Sequence, residues 1–251
     1  MSSSMPIAIA ESAPSVQEEG AGPLSELANE KTYQRLAEQI LSLIASGEFP
    51  VGKRLPSERN LADRFQVSRT SVREAVIALE VQEMVEVRGG SGIYVCRPAD
   101  SVKPVYVPDG PGPFELLRAR RLLEGEIAAQ AAELRKDIDV DRIYSALAAM
   151  RDNCDDKRAN EDADRMFHVR IAEATGNAVL VSMVTALWDQ LRGPIWARLE
   201  EHFHTPDLRE ASLQDHQKVF SALVARDAAG ARNAMHAHID RVVGEFVKGW
   251  A

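Results

Sequence analysis

At 251 residues with 45% hydrophobic side chains, the chain can bury a sizeable core, which excludes wholesale disorder. Its two cysteines, Cys96 and Cys154, exclude a disulfide framework and suit a reducing cytoplasm, and no apolar run reaches the roughly 18–20 residues that cross a bilayer, so no membrane partner is expected. A net charge of −8 excludes indiscriminate nucleic-acid binding, but that charge is unevenly spread.

Residues 1–30 carry five acids and no Lys or Arg. They lack a basic start and a long apolar stretch, so they read as a disordered acidic tail and not as a signal peptide. In residues 31–97, Leu36, Ile40, Leu43 and Ile44 recur at helical spacing, and Gly47 closes that helix. Pro56 prevents continuation, Ser57 is placed to cap, and Leu61, Ala62 and Phe65 stripe a second helix. After a break at Gln66-Val67-Ser68, Val72, Ala75, Val76 and Leu79 mark a third. The stretch MVEVRGGSGIYV then alternates apolar and polar residues around a glycine turn, as a β-hairpin does. Helix, helix, short turn, helix and hairpin predict a winged helix-turn-helix.

Residues 98–113 hold five prolines and two glycines and read as a linker. From 114 to 251 almost nothing resembles a strand. Periodic stretches near 139–152, 160–175, 178–203, 208–227 and 230–248 follow a first helix bearing Leu117, Arg120, Glu124, Ile127 and Ala131 on one face. The expected fold is therefore α-rich and two-domain: a winged helix-turn-helix and an antiparallel all-α bundle of six or seven helices.

Residues 53–73 set Lys53, Arg54, Arg59, Arg64, Arg69 and Arg73 against only Glu58 and Asp63, a local basic patch that suits targeted phosphate binding. Ser68 can cap the third helix and aim its backbone N–H groups at a phosphate. Arg69 and Arg73 are four apart, with Thr70 beside them, opposite the apolar stripe; arginine suits bidentate contact with guanine in the major groove. Arg59 would reach the backbone, and Arg88 with the Gly89-Gly90 tip the adjacent minor groove. The alternative is a solvated face on which these arginines pair with Glu58, Glu74 and Asp63. The series LPSER, SRTSVREA and RGGSGIYV resembles the DNA-binding domain of the GntR family of bacterial transcription regulators across residues 31–97. The resemblance implies operator contacts from Arg59, Ser68, Arg69, Arg73, Gly89 and Gly90, on an inverted repeat of double-stranded DNA read by a homodimer.

All six histidines lie in the helical region. Asp164 and His168 are four apart on one helix face, which suits either a metal ion or an ordinary hydrogen-bonded pair. His216 borders the inward stripe of Val219, Leu223 and Val224. His236 and His238 stand about 200° apart around a helix, so only one faces a common site; His238, next to Ile239, is the inward choice. Asp164, His168, His216 and His238 together make a candidate cage. The pattern of R, LLE and IAAQAA, then D-x-x-x-H and GN, then DH and M-x-A-H-I, resembles the FCD-type effector domain of the FadR branch of that family. It is most similar to the branch's hexuronate-responsive regulators. The resemblance implies that these four residues hold a divalent metal, zinc first, with nickel or another transition metal as alternatives.

Arg120 and Glu124 have the spacing of a plain ion pair, whereas the resemblance implies that Arg120 points into an effector cavity. An arginine fork beside an open metal position captures a carboxylate bearing a neighbouring oxygen. Asn177 and Trp188 would help line that cavity, or serve as helix cap and core aromatic. The implied function is a cytoplasmic, ligand-responsive repressor of sugar-acid catabolism, released from DNA by a hexuronate or related small carboxylate. The competing classes are the same regulator with a purely structural metal and another effector, and a metalloenzyme with a DNA-binding module. The latter lacks an HExxH motif or any nucleophile constellation.

Overall fold

A computed structural model describes residues 32–96, 110–203 and 205–248. The acidic tail and linker residues 98–109 lie outside the described residues.

The winged unit opens with α1 (Thr32–Ala45), which buries Leu36, Ile40 and Ile44. Gly47 ends it at φ 79°, a left-handed conformation that costs glycine nothing. In α2 (Glu58–Phe65) the Ser57 hydroxyl accepts from the Asn60 N–H at 3.3 Å. Gln66 then turns the chain at φ 55°, and α3 (Arg69–Val81) starts on a Ser68 cap that accepts from the Ser71 N–H at 3.0 Å. Strands β1 (Val85–Arg88) and β2 (Gly92–Val95) pair antiparallel, Val85 opposite Val95 and Arg88 opposite Gly92. This is the expected winged helix-turn-helix.

Within α3 every residue from Val72 to Glu80 is buried. An isolated amphipathic helix buries one stripe; α3 is enclosed because α1, α2 and β1 pack on it from its own unit while α4 and α8 pack on it from the helical region.

That region holds seven helices among the described residues: α4 (Pro113–Leu134), α5 (Asp137–Asp152), α6 (Lys157–Ala174), α7 (Ala178–Gln190), α8 (Pro194–Phe203), α9 (Pro206–Val224) and α10 (Ala228–Lys248). The stretch 178–203, expected as one helix, is two. Pro194 disfavours helical backbone at Gly193, and α8 restarts with the proline in its first turn. Helices α4, α9 and α10 pack closely together, and α6 lies against both α4 and α5. Side chains of Asp156, Asn177 and Thr205 cap α6, α7 and α9. The N-cap of α4 is Gly112, which has no side chain to offer; the Phe114 N–H donates instead to Glu74 Oε1 on α3, at 2.9 Å. Gly125 lets the His236 ring of α10 lie directly on α4. Both cysteines are exposed. No helix among the described residues is long and apolar enough to cross a membrane.

Candidate metal centre and nucleic-acid interface

Three helices deliver the cage. Asp164 and His168 come one turn apart from α6, His216 from α9 and His238 from α10, and their ligand atoms all lie within 4.8 Å of one another. His168 Nε2 and His216 Nε2 are 3.2 Å apart, and Asp164 Oδ1 is 3.3 and 3.2 Å from them. The three histidines are buried, and Asp164 Oδ1 and His238 Nδ1 are buried with no hydrogen-bond partner. Buried polar atoms seldom stay unsatisfied, so a converging set of them fits a cation at the centre. Three imidazoles and one carboxylate suit a borderline divalent ion.

The electrostatics of Asp164 and His238 suit a ligand set, whereas at His168 burial is outweighed by Glu124 and Asp164, which raise it above the usual imidazole range. Burial opposes ionisation of Asp164, but His216 and His168 outweigh it and hold the carboxyl well below the usual carboxylate range. Burial, reinforced by repulsion from His216 and His168, pushes His238 well below the usual imidazole range, leaving a neutral ring whose nitrogen lone pair is free to coordinate. His168 turns Nδ1 onto the carboxylate of Glu124, which orients Nε2 towards the cage. Burial opposes ionisation of Glu124 too, yet Arg120 and His168 hold it down at about 2. Asp215, beside His216, is clamped by Arg241 of α10 and by Lys218, so the two helices that carry His216 and His238 are tied together.

Arg120 makes the ion pair that its spacing allowed. It donates from Nε to Glu124 Oε1 at 2.7 Å, and its guanidinium lies 4.0 Å over the Trp188 ring. Arg120, Trp188, Asp164, His216 and His238 line one cavity of ≈ 550 Å³. Trp188 Nε1 is buried there without a partner. Asn177 is not among the lining residues: its side chain accepts from the Val179 and Leu180 N–H groups as the cap of α7. The cavity also takes in Lys157, Glu161, Trp196, Glu200 and Phe246, none of which sequence reasoning singled out. Nor did it find the Glu124–His168 contact, which joins residues 44 apart with no shared motif.

In the winged unit, Ser68, Arg69, Arg88, Gly89 and Gly90 are exposed and Thr70 is half-buried. The Arg69 side chain is 60% exposed, with NH2 3.5 Å from Glu58 Oε2. Arg59 is exposed and 3.9 Å from Asp63. Arg88 pairs with Glu86 and sits 4.5 Å over the Tyr94 ring. Arg73 departs from expectation: it is 2% exposed, not on an open face. Its Nε and NH2 donate to the two oxygens of Glu58 at 2.7 and 2.8 Å, and NH1 reaches the Phe246 carbonyl at 3.4 Å. The reason is tertiary: the Glu58 carboxylate of α2 and the Phe246 carbonyl of α10 both meet its guanidinium.

A family model described as bacterial regulatory proteins, gntR family, matches residues 32–95, and an FCD domain model matches residues 115–241. The chain is 37% identical over 215 residues to the Uxu operon regulator of Haemophilus influenzae, covering 84% of this chain and 80% of that protein. It is also 37% identical to the Uxu operon transcriptional regulator of Escherichia coli, over 85% of this chain and 86% of the relative. The Exu regulon transcriptional regulator of Escherichia coli is 36% identical, with 84% and 82% covered.

Proposed function

Because the chain belongs to the gntR family of bacterial regulatory proteins and carries an FCD domain, it is a DNA-binding transcription regulator and not an enzyme, and we propose that it represses genes of hexuronate or related sugar-acid catabolism. It acts in the cytoplasm as a homodimer on an inverted repeat, because a two-fold protein matches a two-fold site. The names of the Uxu and Exu relatives support the pathway.

One observation carries the reading. The cage of Asp164 and the buried His168, His216 and His238 borders the same cavity as the Arg120 guanidinium, and its ≈ 550 Å³ is ample for a six-carbon acid. A divalent ion in the cage, zinc before nickel, supplies a Lewis-acidic point for a carboxylate and its neighbouring oxygen. Arg120 adds charge-assisted hydrogen bonds, and the unpartnered Trp188 indole N–H offers a further donor. Ser68, Arg69, Thr70, Arg59, Arg88, Gly89 and Gly90 form the DNA-reading surface, with Arg69 the base reader.

Elemental analysis of purified protein, followed by a thermal-shift and operator-release panel of glucuronate, galacturonate, fructuronate and keto acids, tests this. A ligand that binds only the folded state raises stability. Stoichiometric metal that Asp164→Ala removes, and release by one of these acids, are the expected results. Metal retained by Asp164→Ala ends the cage assignment, and silence across the panel ends the effector class.

A further inference from the structure

Helix α8 has two working faces. Trp196, Ala197 and Glu200 line the effector cavity, while Arg198 and His202, four apart on the opposite face, turn towards α3. There they meet a single carboxylate. His202 Nε2 lies 2.6 Å from Glu80 Oε2, and Arg198 Nε is 3.7 Å from the same oxygen. The other oxygen, Oε1, accepts the Val87 N–H of β1 at 3.0 Å. Glu80 is only 4% exposed, so one buried carboxylate joins the cavity wall, the recognition helix and the wing strand.

A second path leaves the same cavity. The Phe246 ring is part of its lining and packs edge-on against Trp196 at 5.5 Å between ring centres. The carbonyl of Phe246 accepts from Arg73 NH1, and Arg73 holds Glu58 of α2 with its remaining nitrogens.

We propose that Glu80 is the positioning residue through which the effector cavity controls the DNA-reading helix, with the Glu80–His202 contact as the main path and Phe246–Arg73 as a parallel one. The proposal rests on the cavity being the effector site, as read above. An acid seated against Trp196 or Glu200 displaces α8. A buried carboxylate cannot shed its partners without a large desolvation cost, so α3 and the wing move with α8 instead of parting from it. The same linkage runs backwards, and operator binding alters the cavity by an equal free energy.

The test measures operator affinity for a duplex selected by the full chain from a random pool, with and without D-glucuronate, D-galacturonate or D-fructuronate. It compares the wild type with His202→Ala and Glu80→Gln. Wild-type coupling is expected in the usual range of roughly 5–150-fold. In His202→Ala the ratio collapses towards 1, while affinity for the acid alone and for the operator alone stays near wild type. A merely structural contact would shift folding stability and leave the ratio intact. Hydrogen exchange supplies a readout that needs no acid: operator DNA should change exchange across residues 195–203 in the wild type and not in His202→Ala. Should no uronate affect the wild type, the effector reading fails alone and exchange decides this proposal. Should Glu80→Gln not fold, His202→Ala, whose side chain is partly exposed, still decides it. An unchanged coupling ratio, or the same exchange response in His202→Ala as in the wild type, overturns the proposal.

Discussion

Replacing Arg73 by alanine separates a DNA contact from a structural one. Arg73 and Glu58 are 2% and 7% exposed and joined by two bonds, at 2.7 and 2.8 Å. Removing the guanidinium leaves the Glu58 carboxylate with the largely exposed Arg69, at 3.5 Å, as its ion-pair partner among the described residues. Breaking a buried pair from one side costs about 3–5 kcal/mol, because a desolvated charge is left uncompensated. By contrast, the solvent-facing Arg69–Glu58 contact is worth roughly 0–1 kcal/mol. Urea unfolding followed by circular dichroism should therefore find Arg73→Ala several kcal/mol less stable and Arg69→Ala nearly unchanged. The double variant Arg73→Met/Glu58→Leu should recover most of the loss, since an apolar pair of similar volume leaves nothing unsatisfied. An Arg73→Ala protein within about 1 kcal/mol of wild type would refute the buried-pair account.

The remaining predictions concern the operator, pH and helix packing. Arg69→Ala should cost about 1–3 kcal/mol of specific operator binding, read by titration against matched and mismatched duplexes; unchanged discrimination removes Arg69 as base reader. Burial raises Glu74 from 4.5 to about 7 despite the Phe114 N–H, so the folded state holds an extra proton between those values. Its contribution is present below about pH 4.5 and is lost as pH rises towards 7, on the order of 3 kcal/mol in all. Stability–pH curves should show that slope in the wild type and not in Glu74→Gln; equal slopes refute it. A methyl at Gly125 would run into the His236 ring, so Gly125→Ala should lose about 1–3 kcal/mol of stability. Adding His236→Ala should restore much of the loss in thermal denaturation; no recovery would show that the clash is not the cause.

What the sequence reveals follows the range of each interaction. The winged unit is legible because its signals are local: Ser57 and Ser68 as caps, Gly47 as a stop, and a hairpin with glycine at its tip. Helical periodicity likewise brings out most of the bundle, though it runs through 178–203, where Gly193-Pro194 interrupts the backbone without disturbing the apolar pattern. His238 is separable from His236 because helix geometry lets only one face inward, and the two do differ in burial. Arg73 is misread for the opposite reason. Its neighbours in sequence place it beside Arg69, while the atom that helps bury it belongs to Phe246, 173 residues away. Asn177 behaves as its local cap signal dictates, and the cavity draws on Glu200 and Trp196 from α8 instead.

The enclosure of α3 also limits how such a protein diverges. From Val72 to Glu80 every residue is committed to packing or to buried pairs, so mutations there are filtered by folding before DNA is ever met. At the open end Arg69, Thr70 and Ser71 are less constrained, while Ser68 is held by its role as the cap of α3. If those few positions read the operator as proposed, substitutions there alter the target at little cost in folding, whereas substitutions at the nine buried residues behind them carry that cost.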